Sequence, residues 1–337
     1  MSRRAFITGA AGQDGSLLAE QLLGEGYEVF GVVHRSISER YENLEAVRDQ
    51  IELLEADLLD GQSLVRALEL ARPDEVFNLA APSFVPMSWE QPVLTAEFAA
   101  VGATTLLEAV RLAAPRARFY QAASSEIFGD PRSAPQDEQT PIMPVTPYGA
   151  AKAYAFFLVR SYRRRYGLHA SSGILFNHES PRRPLDFLPR KVAHGAASIA
   201  LGVTKTLRVG DLESRRDWGF AGDYVRAMSL IVRQEEPDDY VIATGVTHSV
   251  SDLLACAFEH VGLDWREHVE TDDALRRGSA ELHNLVGDST KARERLGWEP
   301  SVDFRGLVRL LVDADLERLQ ARRDEPSNSA SARTGQQ

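Results

Sequence analysis

Three glycines between a short strand and a helix constrain the fold of this chain more than any other feature. Gly9, Gly12 and Gly15 follow the predicted strand Ala5–Thr8, and the predicted helix Gly15–Gly24 begins at the third glycine. A residue without a Cβ lets the backbone turn tightly and approach a pyrophosphate, which then meets the amides at the helix N-terminus. The turn therefore predicts a dinucleotide site, and the predicted contacts are Gly9, Gly12, Gln13, Asp14 and Gly15.

Predicted strands and helices alternate through the first half of the chain, which is typical of parallel strands joined by crossover helices. Further strands are predicted at Glu28–Val33, Glu52–Ala56, Glu75–Leu79, Arg118–Ala122 and Ala170–Leu175. We expect an α/β fold with a Rossmann-type doubly wound parallel sheet at residues 1–176, to which some later strands return. A smaller C-terminal α/β substrate-binding lobe is predicted at 177–323, and a disordered tail without an apolar anchor at 324–337.

Composition argues against several other classes of protein. A net charge of −11 argues against a broad basic face for nucleic acid or an acidic membrane. We expect no membrane segment, because no apolar run was found to approach the ~20 residues of a span. The single cysteine, Cys256, excludes an intrachain disulfide and favours a cytoplasmic location. The eight histidines show no His-x-x-x-His spacing and no cysteine partner, so we expect no metal site.

The end of the second strand predicts which dinucleotide is bound. An Asp or Glu there usually binds the ribose 2′-hydroxyl of NAD, but Arg35 and Ser36 follow instead. A cation and a hydroxyl suit a 2′-phosphate, so we predict NADP. Asp57 and Leu58, after the third strand, are predicted beside the adenine, with the alternative that Asp57 caps the next helix. The predicted cofactor contacts after the fourth strand are Leu79, Ala80 and Ala81.

Four further residues predict the chemistry. Tyr148 and Lys152 are four residues apart and share one helix face, where the ammonium is expected to lower the tyrosine pKa and to hold the nicotinamide ribose. Ser124 and Glu126 are two apart at a predicted strand end, so both side chains are expected to point the same way. Tyr148 would remove a hydroxyl proton as a hydride leaves, and Glu126 adds an acid/base that a plain dehydrogenase does not need. The alternative is that Glu126 is a surface residue or a helix cap.

The residues above carry a family resemblance. The chain resembles the extended short-chain dehydrogenase/reductases and, within them, the GDP-mannose 4,6-dehydratase family, from Gly9 to about Trp298. The most specific segments are Phe176–Arg183, Arg216–Gly219 and Ala243–Val250. The chain departs from the family pattern in a few places; for example, it has a proline, Pro184, where the family has glycine.

The resemblance implies roles for individual residues. It implies catalysis by Ser124, Glu126 and Tyr148, and places Lys152, His178 and Arg183 at the NADP. Around the GDP-sugar it places Ser83, Glu126, Asn177, Lys191, Arg216 and Arg277, the last standing one position earlier than in the family. It also implies a homodimer or homotetramer that converts GDP-mannose to GDP-4-keto-6-deoxymannose with internally recycled NADP.

Alternatives remain for single residues and for the whole chain. Arg216 and Lys191 suit the two charges of a diphosphate, but each could be a solvated surface charge. His178, as a lone histidine, could be a hydrogen-bonded structural residue. The chain could dehydrate another GDP-sugar such as a GDP-heptose, or reduce a 4-keto-6-deoxy nucleotide sugar. The remaining alternative is a non-catalytic NADP-binding protein, which would have no need for all four catalytic residues.

Overall fold

The structure is a computed structural model that describes residues 2–33, 41–275 and 285–324. Three predicted site residues, Arg35, Ser36 and Arg277, lie outside the described residues, as does the predicted tail beyond Asp324.

The strands and helices alternate as the sequence predicts. The strands are β1 (Arg4–Thr8), β2 (Glu28–Val33), β3 (Ile51–Glu55), β4 (Glu75–Asn78), β5 (Arg118–Ser124), β6 (Ala170–Leu175), β7 (Asn177–Glu179), β8 (Leu207–Val209), β9 (Arg215–Phe220), β10 (Asp239–Ile242), β11 (Thr247–Ser249) and β12 (Val269–Thr271). The α-helices are α1 (Gln13–Gly24), α2 (Gly61–Ala71), α3 (Val85–Glu90), α4 (Pro92–Ala96), α5 (Gly102–Ala113), α6 (Pro147–Tyr166), α7 (Leu188–Ala200), α8 (Ala221–Val232), α9 (Val250–His260), α10 (Thr290–Leu296) and α11 (Phe304–Asp324). Short 3₁₀ helices span Glu42–Val47, Ser125–Phe128, Trp265–Glu267 and Asp273–Leu275, and a π-helix spans Glu97–Val101.

A seven-stranded parallel sheet forms the centre of the molecule, in the order β10-β6-β5-β4-β1-β2-β3. Alternate residues of β1 enter two different cores, because successive side chains of a strand point to opposite faces. Ala5 and Ile7 join the core beneath α1 and α8, and Phe6 joins the core beneath α2 and α5. Helices therefore cover both faces, which confirms the predicted doubly wound α/β fold.

The C-terminal half contributes one strand to the main sheet and also forms a smaller region of its own. Its strand β10 pairs with β6 in the main sheet. The other strands form a three-stranded sheet, β11-β9-β7, and a two-stranded sheet, β12-β8. A separate core joins α7, α9 and α11 beside these small sheets. The boundary near Asn177 stays a prediction, since the chain passes from β6 to β7 through a single residue, Phe176.

The helical run Pro92–Ala113 corrects one expectation from the sequence. Its 22 residues are long and apolar enough to cross a membrane by length and composition, so the expectation that no run approaches a span is wrong. In this structure 44% of its most apolar stretch is buried inside the protein, and the run contacts α2 and α6. Helices that cover the core of a globular fold pass the same test, so the run by itself is weak evidence for a membrane span.

Candidate active site

A cleft of about 800 Å³ opens at the carboxyl ends of the central strands, between the main sheet and the small β11-β9-β7 sheet. Ligands bind at this edge in open parallel sheets. The cleft brings together most of the residues predicted from the sequence: Gly9, Gly12, Gln13, Asp14, Gly15, Leu79, Ala81, Ser83, Ser124, Glu126, Tyr148, Lys152, Asn177, His178, Arg183, Lys191 and Arg216.

The glycine turn has the geometry of a phosphate cradle. Gly9 has a φ of +69°, and a Cβ there would lie 2.9 Å from the backbone of Ala80. A Cβ on Gly15 would lie 2.2 Å from the Gly9 carbonyl oxygen. Helix α1 starts at Gln13, the preceding Gly12 offers its amides no side-chain cap, and the first turn borders the cleft. The turn therefore fits a pyrophosphate, with close backbone approach and a helix N-terminus together.

Thr8 fixes the neighbouring strand end against this turn. Its Oγ1 accepts hydrogen bonds from the amides of Leu79 and Ala80, at 3.1 and 3.2 Å, and donates one to Asn78 at 2.8 Å. Ala80 does not border the cleft, but its backbone lies directly against Gly9. The predicted contacts after β4 are thus held beside the glycines.

The predicted adenine contacts lie outside the cleft. Leu58 is 7% exposed and belongs to the core beneath α2 and α5. The Asp57 carboxylate accepts a hydrogen bond from the amide of Leu59 at 2.9 Å. Helix α2 is capped by Asp60, whose side chain accepts from two amides of the first turn. The alternative that Asp57 caps this helix is therefore wrong, because its carboxylate closes the preceding turn.

Tyr148, the predicted catalytic tyrosine, is positioned by the start of α6. Thr146 caps this helix, since its Oγ1 accepts from the amide of Gly149 at 2.9 Å. The same hydroxyl donates to Glu126 Oε2 at 3.3 Å. A Cβ on Gly149 would lie 2.5 Å from the Glu126 carbonyl oxygen, so only glycine lets the helix approach this closely. The contact brings Tyr148 to Ser124, with which it forms a hydrogen bond.

Glu126 reaches the cleft by a different route from the one expected. Strand β5 ends at Ser124, and Ser125–Phe128 is a 3₁₀ helix, so extended-strand alternation does not orient Glu126. Instead Ser124 Oγ accepts from the Glu126 amide at 3.3 Å, and Thr146 binds the carboxylate. Glu126 is half-buried and borders the cleft, and Ser124 is the residue that caps the short helix. The surface and cap alternatives for Glu126 are therefore wrong.

The pKa of Tyr148 does not move in the expected direction. Burial raises it to about 12, while the hydrogen bond with Ser124 and the charge of Arg183 lower it and the Glu126 carboxylate raises it. Lys152 is not among the main causes of the shift; its ammonium donates to the Ala122 carbonyl at 3.0 Å and lies 5.7 Å from the tyrosine ring centre. Burial lowers the pKa of Lys152 itself to about 8. The expectation that the pKa of Tyr148 is lowered is thus wrong, because burial outweighs the nearby cations.

His178 connects the glycine turn to the small sheet. Its Nε2 lies 2.8 Å from Asp14 Oδ2, its Nδ1 lies 2.7 Å from the Phe176 carbonyl oxygen, and its ring stacks on Tyr224. Burial lowers the pKa of His178, but the Asp14 carboxylate outweighs it, so the pKa is raised. Burial by itself raises the pKa of Asp14. The charges of His178 and Arg183 outweigh burial and lower this pKa to about 2. His178 therefore has a structural ion pair and also borders the cleft.

The outer part of the cleft holds the predicted diphosphate cations. Arg216, on β9, and Lys191, on α7, both border it and are half-buried. Arg215, the neighbouring residue, is exposed and bonds to Thr247 away from the cleft. Pro189 lies in the first turn of α7, where proline suits a helix.

Sequence reasoning missed several residues that shape the cleft. Phe84 and Phe187 meet edge to face at 5.4 Å, and Glu179 lies buried beside Arg183. Thr146 was also missed, although a threonine before Pro147 is a recognisable helix-start signal. No local sequence pattern indicates Phe84, Phe187 or Glu179, because the tertiary fold alone brings them to the cleft. Within the described ranges, no three His, Cys, Asp or Glu side chains lie close enough together to hold a metal ion.

The parallel sheet, the glycine turn and the Ser124, Tyr148 and Lys152 group define a Rossmann-type nucleotide-cofactor fold of the short-chain dehydrogenase/reductase kind. The family model described as GDP-mannose 4,6 dehydratase matches residues 6–311. A GDP-mannose 4,6 dehydratase 2 from Arabidopsis thaliana is 47% identical over 93% of this chain and 87% of its own length. A human GDP-mannose 4,6 dehydratase is 41% identical over 93% and 91%. The chain belongs to the GDP-mannose 4,6-dehydratase family, which confirms the resemblance.

A solved structure extends the comparison to the cofactor. A UDP-glucose 4-epimerase from Thermus thermophilus, in complex with NAD, is 29% identical with a TM-score of 0.81. The alignment covers 93% of this chain and 98% of the epimerase. The same fold thus holds a nicotinamide dinucleotide in that relative.

Proposed function

We propose that this protein is an NADP-dependent GDP-mannose 4,6-dehydratase that forms GDP-4-keto-6-deoxymannose and leaves its cofactor oxidised. The observation that carries the proposal is the meeting of Ser124, Glu126, Tyr148 and Lys152 in one cleft beside the glycine turn. The family match and the names of the relatives support the substrate.

Each side chain has a defined chemical role in this proposal. Tyr148 takes the proton of the C4 hydroxyl. A nicotinamide cofactor held by the glycine turn and Lys152 would supply the hydride chemistry, acceptance from C4 and later return to C6. The resulting 4-ketone acidifies the C5 proton, which Glu126 removes. Water then leaves from C6 with assistance from Ser124 or protonated Glu126. Lys152, whose ammonium donates to the Ala122 carbonyl, would bind the nicotinamide ribose.

Glu126 separates this proposal from the alternatives. A reductase of 4-keto-6-deoxy sugars needs a proton donor for the carbonyl but no second acid/base near C5. A non-catalytic binding protein needs neither Glu126 nor Thr146, which holds its carboxylate. Another GDP-sugar, such as a GDP-heptose, would use the same four residues, so product analysis with each sugar distinguishes it.

The decisive experiment is Glu126→Gln with GDP-mannose deuterated at C4. A general acid–base group contributes about 10²–10⁴-fold, so turnover should fall by that order. The first oxidation should still occur and leave reduced cofactor on the enzyme, visible by its absorbance. The control Glu97→Gln, an exposed carboxylate outside the cleft, should turn over normally. Normal turnover of Glu126→Gln, or unmodified protein whose product carries no deuterium at C6, would refute the mechanism.

The preference for NADP is the finer part of the proposal. It is supported by Arg35 and Ser36 after β2, where an acid for NAD is lacking. One charge-assisted contact is worth about 1.5–3 kcal/mol, or roughly ten- to hundred-fold in affinity. Arg35→Ala should remove most of the preference, whereas Arg48→Ala, exposed and outside the cleft, should not. Equal dissociation constants for NAD and NADP in the unmodified protein would contradict it.

Assembly and location complete the proposal. We propose a homodimer or homotetramer in the cytoplasm. Apolar side chains that are half-exposed on α6, Tyr154 and Phe157, support an interface between copies. Light scattering of the purified protein tests the assembly, and a monomer at micromolar concentration would contradict it.

A further inference from the structure

Glu179 is the buried acid that the chemistry above leaves unused. It ends β7, is 1% exposed and borders the cleft. Its Oε2 lies 3.3 Å from Nε of Arg183, but neither atom has a hydrogen bond in the described structure. A buried carboxylate with an unsatisfied oxygen is costly unless a charge compensates it. The arginine is that compensating charge.

Arg183 is confined from a second side by an aromatic ring. Its guanidinium carbon lies 3.6 Å from the ring centre of Phe187, whose other contact is the edge-to-face pair with Phe84. The Arg183 backbone is also fixed, because its carbonyl accepts from Nε of Arg190 at 3.0 Å. Glu179 and Phe187 therefore leave the guanidinium little freedom to swing towards solvent.

The confined charge borders the same cleft as Tyr148 and Asp14 and acts on both. Burial is the main cause of the raised pKa of Tyr148, and Arg183 is the cation that opposes it. Arg183 also lowers the pKa of Asp14, in the first turn of α1. Lys152, which sequence spacing assigned to this electrostatic task, is directed at a strand carbonyl instead.

We propose that Glu179 is a positioning residue, which holds the Arg183 guanidinium between the glycine turn and Tyr148. The inference rests on the proposed function, because it assigns the pair a task in that reaction. It predicts that the carboxylate acts through the arginine and touches neither the sugar nor the reacting atoms.

Glu179→Gln can change the pKa of Tyr148 in two ways, by loss of the carboxylate charge and by displacement of Arg183, and these two effects have opposite signs. Removal of a nearby negative charge would by itself lower the pKa of Tyr148. Displacement of Arg183 would raise it, because an opposite charge at 4–6 Å stabilises the phenolate. We expect the pH dependence of kcat/KM to shift to higher pH by roughly 0.5–1 unit. The dissociation constant of NADP, measured by fluorescence titration without substrate, should rise roughly tenfold.

Further variants separate positioning from mere folding. Arg183→Met should show the same shift, and the double variant should be no worse than Arg183→Met alone. The matched control is Glu75→Gln, because Glu75 is 2% exposed, has an unsatisfied Oε2 and lies 3.4 Å from Nε of Arg233. Glu75 stands at the opposite end of β4 from the cleft. The Glu75→Gln protein should therefore be less stable, but its pH profile and NADP affinity should stay unchanged.

Each outcome bears on one proposal only. If the unmodified protein makes no 4-keto product from GDP-mannose, the proposed function fails, while the NADP titration still tests the positioning. If the product forms but Glu179→Gln keeps the unmodified pH profile and NADP affinity, or shifts the profile downwards, the positioning role is overturned. If Glu179→Gln does not fold, Arg183→Met decides, and an unshifted pH profile there overturns the proposal.

Discussion

Replacement of Asp14 by asparagine should lower the free energy of unfolding, and this loss should become smaller at both low and high pH. In the folded protein the pKa of Asp14 is lowered from 3.8 to about 2, by His178 and Arg183 acting against burial. One pKa unit corresponds to about 1.4 kcal/mol, so the shift is worth about 2 kcal/mol. Only 20% of the Asp14 side chain is exposed, so solvent screens this interaction little.

The sign of the effect follows from the two partners. The lowered pKa of Asp14 gives stability that is present above about pH 4 and is lost as pH falls through about 2. The raised pKa of His178 gives stability that is present below 6.5 and is lost as pH rises through its folded value. The difference between the unmodified protein and Asp14→Asn should therefore be largest, about 2 kcal/mol, between roughly pH 4 and 6.5.

Urea unfolding of the cofactor-free protein from pH 2 to 9 measures this difference. Tryptophan fluorescence is a suitable signal because Trp298 is fully buried, and a midpoint shift at constant slope reports stability alone. Asp60→Asn, which keeps a helix cap on α2, should change the free energy of unfolding by only a few tenths of a kcal/mol. A difference for Asp14→Asn that is the same at pH 2.5, 5.5 and 9 would refute the reasoning.

Two further predictions concern binding. Gly15→Ala should abolish cofactor binding, because its Cβ would lie 2.2 Å from the Gly9 carbonyl oxygen. Gly24→Ala, with open space at its Cβ, should bind normally and gain up to about 1 kcal/mol of stability. Calorimetric titration with NADP checks both, and equal affinities would contradict the cradle. Arg216→Ala should raise KM for GDP-mannose about tenfold or more with little change in NADP affinity, whereas Arg215→Ala, directed away from the cleft, should not. An unchanged KM would return Arg216 to the surface-charge interpretation.

The sequence predicted the main sheet well because its signals are local. Each strand from β1 to β6 is a short apolar run between turn residues. The observed ranges of β2 and β6 equal the predicted ones, and the ends of the other four differ by at most two residues. The position of β10 was not predicted, because a four-residue strand joins the sheet edge through contacts remote in sequence. Helix packing also decides the path of Pro92–Ala113, which contains a π turn that composition does not indicate.

The sequence predicted which residues meet in the candidate site, but not the charges that set the pKa of Tyr148. The glycine turn and the Tyr148 and Lys152 spacing are local patterns, and the cleft brings them together. The direction of the Tyr148 pKa was not predictable, because it depends on burial and on the nearest charge in space. The four-residue spacing places Lys152 near the Tyr148 ring, but its ammonium donates to a strand carbonyl. The cation that lowers the Tyr148 pKa is Arg183, which lies 35 positions further along the chain.

Tyr148, the base in the proposed reaction, is therefore protonated near pH 7 in this cleft. Burial raises its pKa to about 12, which leaves a wide gap to the phenolate. A confined Arg183 and the bond from Ser124 reduce this gap but do not close it. In the proposed reaction, the positive charge of an oxidised nicotinamide ring beside Tyr148 would lower its pKa further, because a nearby cation favours the phenolate. Proton removal from the sugar would then be coupled to the presence of its oxidant.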